Sequence, residues 1–417
     1  MKNSFAQVAR RVSESLQSAP STMVVRNAVK LDAKGERPHS WLYSRDGKIR
    51  AVGTHDEDLE TALEECGDSL ESVEMIDADG ALMVPGFIDI HSHGGWGVSF
   101  DDGEDAIGIA RAAHAVHGTT RQVLSLITNP LETMCSNLRQ VKAATEARED
   151  VLGSHLEGPF LALSRKGAHD PECLKAPQPE YVDKLLEAAD GSLRQITLAP
   201  ELDGGFGAIR RLANAGVKPA IGHSDMDYDQ ARAAIDAGAT ILTHIFNAMN
   251  GLHHRAPGPI PAVLEDPRVS VEIINDGFHV QDPVVRLAAE LFASRLMFVT
   301  DSMSATGCPD GGYKLGALDV VVKDGHARLV SNGAIAGSTL TLDVAFNRAV
   351  TVLGMSPVVA IRAATLNPAH ALGLDRPNGI TRAPLGLLSP GFAADIVLLA
   401  PQSLDVQSVW CAGRKLA

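Results

Sequence analysis

Aromatic residues make up only 4% of this 417-residue chain, and cysteine occurs five times. Cys66, Cys135, Cys173, Cys308 and Cys411 are scattered, odd in number and free of Cys-x-x-Cys spacing. That excludes a disulfide framework and a zinc knuckle, and points to a reducing, cytoplasmic setting. An excess of basic residues is also missing: 37 Lys and Arg face 51 Asp and Glu, a formal charge of −14. With no basic stripe the chain is not expected to bind nucleic acid. The acidity serves solubility, and an anionic ligand would need a local cationic pocket. No run is apolar enough for a membrane span, so no membrane partner is expected. Residues 1–22 lack the apolar stretch of a signal peptide and read as an N-terminal extension, helical or frayed.

What is present suits α/β layering. Apolar residues reach 45%, enough for one large domain plus a small one. Short β texture appears at Val24–Val29 and Trp41–Ser44, with Asp46-Gly47 as a hairpin turn. It returns at Ala394–Leu399 and Val406–Trp410, so a small β-sandwich built from both chain ends, 23–83 plus 376–417, is expected. Between the ends, eight apolar runs start near Val84, Thr120, Val151, Leu193, Val217, Ala239, Val269 and Arg295. Helical periodicity separates most of them, at Ala106–His117, Leu131–Ala147, Pro179–Ala189, Phe206–Ala215 and Asp227–Ala237. Strand and helix alternating eight times predicts a (β/α)8 TIM-like barrel over 84–375. A hairpin insert at Lys314–Leu329, turning at Asp324-Gly325, and helices at Thr339–Leu353 and Pro357–Leu372 follow the eighth strand. A doubly wound sheet fits less well, because Gly94-Gly95-Trp96-Gly97 is too short for a dinucleotide turn and follows two histidines.

Five of the apolar runs stop on side chains that ligate metals or move protons. The first closes on His91-Ser92-His93, whose alternation puts both imidazoles on one face with Asp89. Glu157 ends a nearly uncharged run, where a buried carboxylate needs a cation or hydrogen bonds. His223 and His244 end two more. Glu157, His223 and His244 plus water would form a tetrahedral zinc site of the catalytic type; Fe, Co or Mn also suit these ligands. Singly, each histidine reads more readily as a core residue or a surface side chain. Asp301 ends the last run and is the candidate general base and acid, or a cap for Ser302-Met303-Ser304, or both. His169, His279 and Arg255 sit in polar loops and read either as substrate residues or as solvated ones. An Arg beside histidines suits a phosphate.

The motifs Pro85-Gly86-Phe87-Ile88-Asp89-Ile90-His91-Ser92-His93, Leu156-Glu157-Gly158-Pro159, Lys166-Gly167-Ala168-His169, Gly222-His223-Ser224, His244-Ile245-Phe246-Asn247-Ala248-Met249, Asp276-Gly277-Phe278-His279, Thr300-Asp301 and Ala336-Gly337-Ser338 form a specific set. They resemble the amidohydrolase superfamily and, within it, the deacetylases of N-acetylated amino-sugar phosphates. The resemblance implies hydrolysis of the acetamide of N-acetyl-D-glucosamine 6-phosphate, a small-molecule substrate. It implies that Glu157, His223 and His244 hold the main divalent metal, that His169 polarises the acetyl carbonyl and that Asp301 activates water. It implies that Ala168, Asn247, Ala248, Arg255, Asp276, His279, Ile335, Ala336 and Gly337 line the sugar-phosphate site. It also implies a homodimer in which Arg255 reaches the neighbouring active site. Because His91 and His93 are both kept, the resemblance implies one or two ions per subunit, the second bridged by Glu157. Ser302 departs from the Ala of many relatives. Two other readings stay open: a deacetylase of a different N-acyl amino sugar or amino acid, and a non-catalytic barrel that binds.

Overall fold

The computed structural model describes residues 2–417; Met1, the first residue of the extension, lies outside them. Eight parallel strands pair in chain order: β1 Phe87–Asp89, β2 Thr119–Ile127, β3 Val151–Glu157, β4 Leu193–Leu198, β5 Lys218–Ile221, β6 Ile241–Leu242, β7 Ser270–Ile274 and β8 Leu296–Val299. Their apolar side chains are buried on both faces, as helices outside and packed layers inside require. Truncating one of them, Phe298→Ala, would cost about 3–5 kcal/mol.

The ends of this sheet meet at the rim. Asp301 N–H donates to His91 O at 2.8 Å, and His93 N–H donates to Ser302 O at 2.8 Å. Below them Asp89, fully buried, accepts from Thr300 Oγ1 at 2.7 Å and from His91 N–H at 3.2 Å. Burial pushes this carboxyl up to about 6 against the pull of those hydrogen bonds. Asp89 therefore ties the first strand to the last.

The helices start where local chemistry permits. Leu131–Ala147 and Pro179–Ala189 run as the periodicity predicts. Asp227 caps Tyr228–Ala237, accepting from Gln230 N–H while Gln230 returns a bond to Asp227 N–H. One expectation fails: Pro357–Leu372 is two helices, Pro357–Ala364 and Leu366–Ala371. Pro368 has no N–H for the Ala364 carbonyl and its ring clashes there, so the helix breaks at Thr365.

Both chain ends share one eight-stranded sheet, in which Leu82–Pro85 pairs with Met23–Asp32 on one side and Ile396–Leu399 on the other. The sheet folds over so that Ile49 and Trp410, far apart in strand order, lie in one core. Hairpin turns at Asp46-Gly47 and Asp324-Gly325 all take positive φ, as expected. The insert adds a third strand, Gly311–Leu315, to Leu318–Lys323 and His326–Leu329. The N-terminal residues form a helix, Lys2–Gln17, that buries Ala9 and Val12 and stacks Phe5 on Trp96 at 4.6 Å. No described helix is long and apolar enough to cross a membrane.

Candidate active site

The site occupies the rim where the strands end. Only Glu157 lies within its strand. His91 and His93 follow the last paired residue of β1, His223 follows β5, His244 follows β6 and Asp301 follows β8, each by two to four residues. Regular pairing stops there because the chain turns: His223, His244 and Asp301 all take positive φ, at 50°, 26° and 48°. Such conformations cost about 1–3 kcal/mol each in non-glycine residues and persist where surrounding structure enforces them. Phe246 and Ala248, in the next loop, share the feature. Gly222 permits the β5 turn, since a Cβ there would meet Thr243 at 2.7 Å.

Glu157 is the centre. Its Oε1 lies 3.0 Å from His223 Nε2, 3.2 Å from His244 Nε2 and 3.4 Å from His91 Nε2. Its Oε2 lies 3.1 Å from His93 Nε2 and 3.3 Å from His169 Nε2. Burial raises this carboxyl, but the imidazoles, His91 first, hold it well below its usual range. Asp301 Oδ1 stands 3.5 Å from His93 Nε2 and 3.6 Å from His91 Nε2. Two overlapping donor groups result, Glu157–His223–His244 and His91–His93–Glu157–Asp301.

The donor chemistry fits a cation. His223 Nδ1 donates to Arg165 O at 2.8 Å, so in the neutral ring its Nε2 carries a lone pair. That lone pair faces a carboxylate oxygen at 3.0 Å and His244 Nε2 at 3.0 Å. His91 is alike: Nδ1 bonds Glu272 at 3.0 Å, and its buried Nε2 has no hydrogen-bond partner. Lone pairs converging in a buried pocket repel unless a cation sits among them.

A cavity of about 340 Å³ opens on this cluster. His93, Glu157, His169, His223, His244 and Asp301 line it, as do Ala168, Asn247, Ala248, His279, Ile335 and Gly337. Asp276 supports it from behind, taking His279 Nδ1–H at 2.7 Å. Ala336 is fully buried and does not line it. Arg255 is on an exposed loop beside a separate cavity with His253, outside its own chain's site. Ser302 points away, its Oγ bonding Gly94 O at 3.2 Å and lying 3.1 Å from His114 Nε2.

Several site residues were not singled out from the sequence. Thr128 Oγ1 lies 2.9 Å from His169 Nδ1 and 2.9 Å from Glu157 O. Its one hydrogen goes to the Glu157 carbonyl, so it accepts from His169 Nδ1–H and turns Nε2 toward the cavity. His155, fully buried, is held between Ser125 and Thr197 and packs edge-on against His91 at 4.6 Å. Burial first, and His91 second, push its imidazole well below the usual range. Arg165 lines the cavity, fixed by Asn250 Oδ1 at 2.6 Å. Glu272 had a readable signal: it is the lone charge in the apolar run Ser270–Ile274.

Comparison with known proteins decides the family. The Amidohydrolase family model matches residues 82–416. The chain belongs to the amidohydrolase family. Among its curated relatives, the N-acetylgalactosamine-6-phosphate deacetylase of Escherichia coli O157:H7 is 38% identical over 82% of this chain and 89% of that protein. The N-acetylglucosamine-6-phosphate deacetylase of Vibrio furnissii is 34% identical over 89% of this chain and 92% of its own length. Among solved amidohydrolases, a mutant N-acetyl-D-glucosamine-6-phosphate deacetylase from Mycobacterium smegmatis, in complex with N-acetyl-D-glucosamine-6-phosphate, superposes with a TM-score of 0.86. It is 38% identical, covering 95% of this chain and 100% of that one. The family assignment agrees with the barrel, the sheet from both ends and the metal-capable cluster.

Proposed function

We propose that this amidohydrolase removes the acetyl group of N-acetyl-D-glucosamine 6-phosphate, giving D-glucosamine 6-phosphate and acetate. The observation that carries the reading is the convergence of Glu157, four rim histidines and Asp301 on one small cavity. In this reading Glu157, His223 and His244 hold the principal divalent ion, with zinc the best match to one carboxylate and two imidazoles. When bound, the ion supplies Lewis acidity and eases deprotonation of water.

The residues do the rest. An amide resists attack because nitrogen donation dulls its carbonyl. His169 gives Nδ1–H to Thr128 and turns Nε2 into the cavity, where the protonated ring meets the charge that grows on the acetyl oxygen. Asp301 accepts the proton of the attacking water. It then returns that proton to the departing nitrogen, so that glucosamine leaves as an amine. Asn247, Ala248, His279 and the Ile335–Gly337 segment hold the sugar phosphate. Arg255 completes the phosphate pocket of a neighbouring subunit in a homodimer, which is why it stands apart from its own cavity.

The 38% relative named for the galactosamine epimer favours one second reading, the C4 epimer as substrate. The test compares kcat/KM for both 6-phosphates and for unphosphorylated N-acetylglucosamine. The glucosamine phosphate is expected to lead, with the unphosphorylated sugar at least about 100-fold slower, the loss that follows when buried polar groups are left unpaired. Equal turnover without phosphate would overturn the phosphate reading, and faster turnover of the galacto-epimer would transfer it.

A further inference from the structure

The two donor groups at the rim share Glu157, and a buried carboxylate stands behind them. Glu272 lies mid-strand in β7, fully buried among apolar neighbours. An isolated carboxylate there is costly. Among the described residues no Lys or Arg pairs with it; its ion-pair partner is His91, whose Nδ1 lies 3.0 Å from Oε2. Gln195 Nε2 donates to its Oε1 at 2.6 Å, and His244 N–H to Oε2 at 3.3 Å. It therefore contacts a side chain of one donor group and the backbone of the other.

We infer that Glu272 is a positioning residue that presets His91 to hold a second divalent cation beside the one bound by Glu157, His223 and His244. With the Nδ1–H given to Glu272, the ring presents an Nε2 lone pair to the rim. That atom faces Glu157 Oε1 at 3.4 Å and Asp301 Oδ1 at 3.6 Å, and makes no hydrogen bond. His155 packs on the same ring and blocks rotation. A carboxylate behind an imidazole fixes its tautomer and strengthens its donor nitrogen, and losing such a partner typically costs about 10–100-fold in metal affinity. Among the described residues the one side chain that pairs with this carboxylate at ion-pair distance is a ligand histidine, so Glu272 is placed for that ligand and not for the barrel at large. Gln195 keeps it aimed.

The inference rests on the rim holding metal as proposed above, and the experiment separates the two. Metal content per subunit is measured by mass spectrometry after dialysis against graded free zinc, for wild type, Glu272→Gln, His91→Asn and the double variant. Wild type is expected to retain two ions. Glu272→Gln should keep the first with unchanged affinity and bind the second about 10–100-fold more weakly. In the His91→Asn background, which binds one ion, adding Glu272→Gln should change nothing. Should Glu272→Gln not fold, Gln195→Ala, which leaves the charge but removes its steering, should weaken the second ion by a smaller factor. Undiminished second-ion affinity in Glu272→Gln, or in Gln195→Ala, overturns the inference. One ion in wild type overturns it and leaves the proposed function standing; no ion at all overturns both.

Discussion

The two ends of the barrel bury charge in opposite ways. At the end where the strands begin, the most deeply buried charges meet opposite charges within the protein. Arg121 forms a two-pronged pair with Asp395, at 2.6 and 2.9 Å, and fully buried Arg111 meets Asp150 at 3.0 Å. Asp150 is also held by Arg148, and the two guanidinium groups outweigh burial to keep its carboxyl below the usual range. At the end where the same strands finish, carboxylates meet imidazoles, and His223 Nε2 lies 3.0 Å from His244 Nε2. No Lys or Arg pairs with Glu157 among the described residues. One end pairs its most buried charges within the protein. The other is incomplete and held in strained turns. β2 and β3 belong to both, Arg121 and Asp150 lying near their starts and Thr128 and Glu157 at their ends. The difference teaches where the barrel keeps its stability and where it keeps its chemistry, a division barrels are built to allow.

The comparison breaks or sharpens under mutation. The largest effect is expected from Asp301→Asn, which should lower kcat by about 10²–10⁴-fold, the range for a lost proton-transfer group, with metal content near wild type. Steady-state kinetics and metal analysis on one preparation check this; unchanged turnover would remove Asp301 from the chemistry. At the other end, Asp395→Ala leaves Arg121 buried and unpaired. It should destabilise by about 3–5 kcal/mol in denaturant unfolding while kcat at low temperature stays near wild type. If kcat falls with stability intact, the two ends are not separable.

Metal removal should touch the rim alone. Chelation is expected to lower the melting temperature, and titrating the ion back should restore about 2.7 kcal/mol at 100 times its dissociation constant. A melting curve indifferent to chelator would mean that the converging nitrogens are satisfied some other way.

The smallest effect concerns pH. His114 is fully buried behind Gly94 and Ser302, and burial pushes its imidazole down to about 3. Its folded pKa thus lies below the unfolded value of about 6.5. Between these values the unfolded chain binds a proton that the folded one refuses, so stability falls as pH drops through that window and is full above it. The contribution to the slope is up to about 1.4 kcal/mol per pH unit. His114→Gln should flatten the acid limb by that amount between about pH 6 and pH 4; an unchanged limb would show the histidine to be protonated in the fold.

Much of this was legible in the chain. Strand ends were readable because apolar runs of four to seven residues stop abruptly on His, Glu or Asp, and parallel strands bring such ends to one rim. The Asp-Gly turns announced their hairpins. The Gln195–Glu272–His91 line was not legible as a unit, because a polar residue inside a strand does not say which distant strand it faces. Thr128 escaped for the same reason, since hydroxyls near strand ends are common. The break at Thr365 was visible in Pro368, which the periodicity of the surrounding residues masked. Positive φ at His223, His244 and Asp301 had no local signal at all, because these residues are held there by tertiary contacts and not by their own preference.

Anomalous diffraction at the zinc edge from crystals grown with zinc tests the central claim most directly. The account predicts a peak about 2 Å from Glu157 Oε1, His223 Nε2 and His244 Nε2 together. A peak elsewhere, or none at that position with zinc in the crystal, would contradict it.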